Sequence, residues 1–275
     1  MEKEMKIIRF MTENGQVMHG RYRDEEPDLA DIIEGDILRD FRVTQKKEKI
    51  SKLLSPVLPS NILALGLNYR KHADETKMDA PDFPVLFMKA TSSVIGHEGP
   101  ILIPAAGSNQ VDYEGELAVI LSGSAKNIPP EKAFDFILGY TCANDVSARD
   151  WQFEKQKGQW ARGKSFDTFC PLGPFMVTKD EIENPNRLRI RTTLNDNVLQ
   201  NANTDAMIFP IADIISLLSQ SMTLLPGTVI LTGTPEGVGF TRQPPVFLKD
   251  GDRITIEIEK IGRLSNPVKK ERQAG

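Results

Sequence analysis

The feature that most constrains this chain is a buried-strand signal preceded by two acids. The apolar run Leu117–Leu121 is long enough to form a core strand, and Glu114 and Glu116 stand at its start. Alternate side chains of a strand share a face, so both carboxylates are expected on the same side, at the mouth of the strand. Two ionised carboxylates repel each other there, and keeping both charged is costly unless a cation lies between them.

A third acid, Asp145, ends a second apolar stretch that begins at Phe136. We interpret Glu114, Glu116 and Asp145 as the oxygen ligands of one divalent metal ion. No histidine or cysteine is interleaved at ligand spacing, which favours magnesium, manganese or calcium over zinc or copper. An ion held this way keeps positions for a chelating α-keto acid or β-diketone, whose enolate it would stabilise. The alternative interpretation is a charged strand end in water.

Composition excludes several classes of function. Hydrophobic residues make up 40% of the chain and charged residues 26%, and the net charge is −4 without a basic stripe. Such a chain is a poor candidate for binding nucleic acid. No stretch reaches the roughly 18 apolar residues of a membrane span, and the first residues do not form a signal peptide. Cys142 and Cys170 form no C-x-x-C pair, which is typical of a reducing compartment. We predict a cytoplasmic protein that contacts no membrane.

Short strands outnumber helices, and regular β-α-β alternation is missing. The pattern predicts a mainly β fold, a mixed α+β sheet or barrel-like roll with a few covering helices. Asn14-Gly15 marks the turn of a hairpin over Lys6–Arg23. Apolar residues at helical spacing predict an amphipathic helix over Pro210–Met222. Because Ile50–Leu58 ends among prolines, we predict a small N-terminal β subdomain over 1–58 and a main domain over 59–270.

Two loops contain side chains that could close a metal site. Arg149 and Gln152 follow Asp145 and could hold a substrate carboxylate, the arginine through its two-pronged guanidinium group. Lys164 could lie over the metal and assist a developing negative charge. Thr234, in the glycine-rich turn Gly233–Gly239, could make a backbone contact to a small anion. Each of these, taken singly, is also compatible with a surface residue or a tight turn.

His72 and Glu75 lie in a polar stretch that suits one or two helical turns. Three residues apart, they share a helix face. The residues alone also allow a solvated salt link on the surface. The following segment, Thr76–Pro84, has the prolines and acids of a mobile loop.

Taken together, four ordered motifs resemble the fumarylacetoacetate hydrolase family. The chain is most similar to its short members, the fumarylacetoacetate hydrolase domain-containing proteins, and the likeness runs from about Asn61 to Pro267. The motifs are Tyr113-Glu-Gly-Glu-Leu-Ala-Val, Asn144-Asp-Val-Ser-Ala-Arg-Asp-Trp-Gln152, Gly163-Lys-Ser-Phe-Asp-Thr-Phe-Cys-Pro-Leu-Gly-Pro174 and Leu231-Thr-Gly-Thr-Pro-Glu-Gly-Val-Gly239.

The resemblance implies a fold, a metal and a set of roles. The fold would be the mixed β-sandwich roll of the fumarylacetoacetase C-terminal domain, forming a homodimer, with residues 59–270 as the catalytic domain. The metal, usually Mg²⁺, would bind the three acids. His72 and Glu75 would be the catalytic dyad, carried on a lid, and Lys164 the active-site lysine. The implied substrate contacts are Arg149, Gln152 and Thr234.

The chain departs from full-length fumarylacetoacetases in two respects. The stretch Leu67-Asn68-Tyr69 lacks their fourth acidic ligand, and residues 1–58 are too few for their larger N-terminal domain. Both facts favour a smaller α-keto acid as substrate. Its C–C bond would be hydrolysed, as by an acylpyruvase, or oxaloacetate would be decarboxylated.

Two further hypotheses stay open. The first is a lyase or isomerase on the same site, which would cleave ureidoglycolate, isomerise a hydroxymuconate or tautomerise oxaloacetate. The second is a non-catalytic binding protein stabilised by its metal.

Overall fold

The structure, a computed structural model, describes residues 5–106 and 108–272, and most of its regular elements are strands. The strands are β1 (Lys6–Met11), β2 (Val17–Tyr22), β3 (Leu29–Gly35), β4 (Phe41–Lys49), β5 (Lys52–Leu54), β6 (Ile62–Gly66), β7 (Val85–Lys89), β8 (Val94–Ile95), β9 (Ile101–Ile103), β10 (Val111–Asp112), β11 (Gly115–Leu121), β12 (Ile137–Asn144), β13 (Ser147–Ala148), β14 (Cys170–Thr178), β15 (Arg189–Leu194), β16 (Asn197–Asn203), β17 (Val229–Leu231), β18 (Arg253–Ile258) and β19 (Gly262–Lys270). The mainly β expectation is confirmed.

The helices are few and short. The two α-helices are α1 (Arg70–Thr76) and α2 (Ile211–Ser221). A π-helical segment spans Asp150–Lys155, and 3₁₀ turns span Thr91–Ser93, Pro130–Phe136, Lys179–Glu181 and Thr204–Ala206. Among the described residues, none of these helices has the length and apolar character needed to cross a membrane.

The larger sheet runs in the order β4-β3-β2-β1-β14-β12-β11-β17-β6-β7, with β5 on β1 and β8 on β14. Strand β11 lies between β12 and β17, and each of its residues is buried. An unbroken apolar run suits a strand covered on both faces, which explains why this segment forms the centre of the sheet. The predicted core strand is therefore confirmed, although it starts at Gly115 and leaves Glu114 just before it.

A second sheet, in the order β16-β15-β18-β19-β9, packs against the central strands of the first. Strand β18 alternates strictly and buries Ile254, Ile256 and Ile258. The two sheets approach closely at Gly115, where an added Cβ would lie 2.2 Å from Thr192 Oγ1. This glycine lets the strand that carries Glu116 enter the core directly behind the site.

The leading strands join the main sheet, because β1 pairs with β2 on one side and with β14 on the other. The predicted hairpin is confirmed, with Phe10 opposite Met18. The mixed charges of residues 25–48 did not reveal β3 and β4, since β4 is an edge strand whose residues are largely exposed. The division at residue 58 stays a prediction.

Helix α2 confirms the predicted amphipathic segment. It begins directly after Pro210 and buries Ile211, Ile214, Ile215 and Leu218. The segment after Pro129 forms a 3₁₀ turn, Pro130–Phe136, with proline in its first turn.

Candidate functional site

The fold brings the three predicted acids together. Glu114 lies in the short link between β10 and β11, Glu116 lies within β11, and Asp145 follows β12. The register that pairs Gly115 with Asn144 places Asp145 beside the two glutamates. The backbone amide of Asp145 donates to the carbonyl of Glu114 at 2.8 Å. All three side chains are buried, with one carboxylate oxygen from each within 4.8 Å of the others. We call these three residues the acid cage.

Cationic side chains surround the cage on two sides. Lys164 Nζ donates to Glu114 Oε2 and to Asp145 Oδ2, both at 2.7 Å. Lys89 Nζ donates to Asp145 Oδ1 at 2.5 Å. Arg149 forms ion pairs with Glu114 Oε1 at 2.7 Å and with Asp112 Oδ2 at 2.8 Å. The charges therefore alternate along one buried chain, Asp112–Arg149–Glu114–Lys164–Asp145–Lys89.

Glu116 stands outside this alternation. Its Oε2 accepts from the Gly233 amide at 2.7 Å, whereas its Oε1 is buried and has no hydrogen-bond partner among the described residues. Burial raises the pKa of Glu116 well above its ordinary value, and the negative charges of Asp145 and Glu114 raise it further. Glu116 is thus the acid whose ionised form most needs a further cation.

Glu114 shows the opposite behaviour in the same cavity. Burial favours its neutral form, but Lys164 and Arg149 outweigh burial and hold the pKa of Glu114 below its ordinary value. The pKa of Lys164 is raised despite burial because Asp145 and Glu114 lie against its ammonium group. These groups are therefore charged in the folded protein.

The donor set of the acid cage fits a hard divalent cation. Three carboxylates offer oxygen ligands, and a buried carboxylate oxygen without a partner is rare unless something else satisfies it. The cluster contains four acids, the acid cage and Asp112, and three cationic side chains, Lys89, Arg149 and Lys164. When all four acids are ionised, it therefore carries one negative charge in excess. Glu114, Glu116 and Asp145 are the residues that would hold such an ion.

Helix α1 carries the predicted dyad. His72 Nδ1 lies 2.8 Å from Glu75 Oε1, and His72 is only 6% exposed, so the pair is not a solvated surface link. Glu75 Oε2 accepts from the Gly237 amide at 2.9 Å and from Thr241 Oγ1 at 3.2 Å. With Nδ1 donating to Glu75, Nε2 of His72 is left as the basic nitrogen.

A cleft with about 390 Å³ of empty volume, open solvent included, is lined by His72 of the dyad and Glu114 of the cage. Its polar lining contains most of the predicted site residues, namely His72, Glu114, Arg149, Gln152, Lys164 and Thr234. Its apolar lining includes Leu65, Leu67, Met78, Phe87, Phe153, Trp160 and Phe240. Two further acids contact residues that line the cleft: Asp145 accepts from Lys164, and Glu75 is hydrogen-bonded to His72. A small polar ligand in this cleft would therefore meet Glu114 of the cage and His72 of the dyad together.

The predicted substrate contacts are already engaged within the protein. The guanidinium group of Arg149 binds Asp112 and Glu114 and donates through Nη1 to Gln152 Oε1 at 2.9 Å. Thr234 Oγ1 donates to the carbonyl of Gly115 at 2.9 Å. All three side chains line the cleft, and their contact with a substrate stays a prediction.

The glycine-rich turn after β17 serves the acids of the site. Its amides at Gly233, Gly237 and Gly239 donate to three different carboxylates, those of Glu116, Glu75 and Asp112 respectively. Sequence reasoning assigned this turn at most a contact from Thr234 to an anion. The turn binds anionic groups, but they are those of the protein itself.

Two buried residues of the cluster, Lys89 and Asp112, were missed from the sequence. Lys89 shares a face of β7 with Phe87, and both are buried while Met88 between them is half exposed. Because Lys89 stands two residues after Phe87, the alternation of the strand could have predicted that this lysine is buried. Asp112 gave none, since a polar residue beside a strand is usually solvated.

Asn68 lies in the stretch before α1 where a fourth acid is missing. It is buried, and its side-chain amide donates to the carbonyls of Phe209 and Thr232 at 3.1 and 2.7 Å while its Oδ1 accepts from the Phe209 amide at 2.8 Å. The side chain thus anchors the chain just before α1 and does not join the acid cage.

Comparison with known proteins gives consistent results. Residues 61–269 match the fumarylacetoacetate hydrolase C-terminal domain. A mitochondrial oxaloacetate tautomerase of Xenopus laevis is 49% identical over 217 residues, which cover 78% of this chain and 68% of the relative.

Solved structures match over nearly the whole chain. The 2-hydroxyhepta-2,4-diene-1,7-dioate isomerase of Mycobacterium marinum superimposes with a TM-score of 0.84 at 38% identity and covers 98% of this chain and 100% of its own. The 5-carboxymethyl-2-hydroxymuconate delta-isomerase of Mycobacterium smegmatis gives 0.85 at 39% identity, with 97% and 100% covered. The four sequence motifs, the mixed β architecture and these matches agree, and the chain belongs to the fumarylacetoacetate hydrolase family.

Proposed function

We propose that this protein is a Mg²⁺-dependent enzyme that interconverts the keto and enol forms of a small α-keto acid, with oxaloacetate as the first substrate to test. The observation that carries the proposal is the meeting of the buried acid cage with the His72–Glu75 pair at one cleft. A hard cation and a base at the same cleft are the two things that enolisation needs. The relatives named as a tautomerase and as isomerases support the same class of reaction.

Each side chain has a defined part in this proposal. Nε2 of His72 takes a proton from the carbon next to the substrate carbonyl, and Glu75 stabilises the imidazolium that results. The ammonium group of Lys164, in the cleft, stabilises the negative charge that develops on the substrate oxygen. A divalent cation, when held by the acid cage, would supply Lewis-acid stabilisation of the same charge. Return of the proton from His72 to the oxygen gives the enol and restores the base, and the reverse sequence restores the ketone.

Keto–enol exchange requires a base but no attacking water. Our first expectation from the sequence, C–C hydrolysis or decarboxylation, shares the enolate and differs in the bond that is broken. The named relatives favour the tautomerase and isomerase alternative, so we place it first. A cytoplasmic homodimer remains our prediction for the assembly that carries the activity.

The test is the rate at which enolic oxaloacetate is lost, measured by its ultraviolet absorbance with Mg²⁺, after chelation and after Mg²⁺ is restored. His72→Ala should slow the reaction by about 10²- to 10⁴-fold, the usual contribution of a general base. His19→Ala is the matched control, because His19 lies on β2, outside the cleft.

Two results would contradict the proposal. One is full tautomerisation by the chelated protein. The other is the release of pyruvate from oxaloacetate, or cleavage of acetylpyruvate, at a rate equal to or above that of tautomerisation. Either of these last activities would return the enzyme to the decarboxylase or hydrolase class.

A further inference from the structure

We propose that the segment Gly237–Arg242, which we call the docking loop, holds helix α1 against the site and orients the dyad, with Thr241 as a positioning residue. The inference rests on the proposed function in one respect, the role of His72 as the base. It starts from the two oxygens of Glu75. One faces His72 Nδ1 at 2.8 Å, and the other accepts from the Gly237 amide and the Thr241 hydroxyl at 2.9 and 3.2 Å.

Glu75 would be free to rotate without those two donors. Its side chain is joined to α1 by single bonds, and the contact to His72 alone fixes only one oxygen. Donors on the second oxygen fix the plane of the carboxylate, and that plane sets the direction in which His72 presents Nε2. The docking loop therefore controls the geometry of the dyad from outside the helix that carries it.

The docking loop is itself firmly held. The amides of Gly239 and Phe240 donate to the two oxygens of Asp112 at 2.8 and 3.1 Å. Arg242 Nε lies 3.2 Å from the carbonyl of Gly237, and its Nη2 donates to the carbonyl of Leu199 at 2.5 Å.

Gly237 has a φ of +100°, and a Cβ there would lie 2.2 Å from the Leu199 oxygen. Only glycine can hold its amide in this position, so the loop presents a rigid donor to Glu75.

The same loop is tied to the acid cage. Asp112, which holds the amides of the docking loop, also pairs with Arg149, and Arg149 pairs with Glu114. Phe240 adds a contact, since its ring lies 4.3 Å from the guanidinium carbon of Arg149. One continuous network thus sets the position of the dyad relative to the cage.

Thr241 is the member of this network that can be changed with least damage. Its Oγ1 lies 3.2 Å from Glu75 Oε2 and 3.0 Å from the carbonyl oxygen of Val238, so the two oxygens compete for its single proton. The charged carboxylate is the stronger acceptor. Replacing Thr241 by Val keeps the shape and removes the proton, while Ser keeps the hydroxyl.

Two readouts test the proposal on the Mg²⁺-loaded, full-length protein. The first is the tautomer of His72, read from long-range proton–nitrogen NMR of the imidazole. Only three histidines are present, and His72→Ala assigns the signal. Thr241→Val should lower the Nδ1-protonated fraction, whereas Thr241→Ser should keep it. The second is the kinetics of oxaloacetate tautomerisation, where kcat of Thr241→Val should fall about tenfold, as the loss of one hydrogen bond to a charged group allows, with KM changed less than about twofold.

Thr255→Val is the matched control, because Thr255 donates its hydroxyl to Ser265 on the second sheet and is remote from the cleft. It should leave both readouts unchanged. Arg242→Met, which frees the docking loop from Leu199, should shift the tautomer in the same direction as Thr241→Val.

The proposal is overturned if Thr241→Val keeps the wild-type tautomer, or if Thr255→Val shifts it equally. If the wild-type protein fails to tautomerise oxaloacetate, the proposed function fails while the NMR comparison still decides the role of the docking loop.

Discussion

Replacing Glu116 by Gln tests the acid cage most directly. The side chain keeps its shape, and its carbonyl oxygen can still accept from the Gly233 amide, which donates to Oε2 of Glu116. The amide nitrogen then takes the place of the oxygen that has no partner. Without metal the variant should therefore fold at least as well as the wild type, because a repulsive charge is gone. With metal it should lose most of the stabilisation that binding brings.

The size of this loss can be worked out from mass action. At a metal concentration 100 times the wild-type Kd, binding stabilises the folded state by about 2.7 kcal/mol. Removing one of three charged ligands should weaken binding at least as much as an outer-shell change, about 100-fold at the upper end. The same concentration then equals the new Kd and gives only about 0.4 kcal/mol. At about 2–4 °C per kcal/mol for a chain of this size, the metal-induced rise in Tm should be about 5–9 °C smaller in Glu116→Gln.

The assay is a thermal scan in chelator and in a series of Mg²⁺ and Mn²⁺ concentrations. Glu257→Gln is the matched control, since Glu257 lies on β18 and pairs with Arg191 and Arg263, outside the cage. It should keep the full metal-induced rise. If Glu116→Gln shows the same rise as wild type, the three acids do not form the metal site and the reasoning fails.

Three further predictions concern buried polar groups. In chelator, the pKa of Glu116 is raised by burial and then by the charges of Asp145 and Glu114. The folded protein therefore binds the proton of Glu116 more tightly than the unfolded chain, where the ordinary value is 4.5. The stability that comes from this difference is complete below 4.5 and is lost as pH rises through the higher folded value. The wild type should then lose stability relative to Glu116→Gln from about pH 5 upward, as urea titrations at several pH values would show. Asn68→Ala removes the side-chain partner of main-chain groups of Phe209 and Thr232 and should cost about 1–3 kcal/mol in the free energy of unfolding measured in urea. Lys89→Met removes one of the two ammonium groups that pair with the buried carboxylate of Asp145 and leaves that of Lys164; it should cost about 1–3 kcal/mol in the same measurement, the usual loss for a buried hydrogen bond to a charged group.

Each of these has an outcome that contradicts it. A pH-independent difference between wild type and Glu116→Gln would mean that Glu116 does not titrate there. For Asn68→Ala, an unchanged urea midpoint with unchanged amide exchange in α1 would deny the anchoring role. For Lys89→Met, the exposed Lys52→Met is the control, and equal effects of the two changes would show that the buried pair carries no stability.

The parts of the fold that the sequence predicts are those with a local cause. The Asn14-Gly15 turn, the apolar run of β11 and the spacing of α2 each depend on neighbours within a few residues, and each is present. Strand β4 was not recognised because an edge strand has one free side and tolerates charge at nearly every position.

The site divides in the same way. That Glu114, Glu116 and Asp145 converge could be predicted, because each stands next to an apolar run and buried carboxylates are stable only beside a cation or hydrogen-bond donors. That Lys89 and Asp112 complete the cluster could not be predicted, because Lys89 meets Asp145 across 56 residues and Arg149 meets Asp112 across 37. Nothing in a local pattern says which distant charge will neutralise a buried one.

The sequence by itself therefore determined the ingredients, namely the acids, a base with its carboxylate partner, and the strands that bury them. The tertiary structure alone decided the pairing. Within the described part of the chain it leaves Glu116 Oε1 without a hydrogen-bond partner, and it directs the amides of one turn at three separate carboxylates. The physical reason is that the charge state of a buried group depends on distances of a few ångströms, which only the packed chain sets.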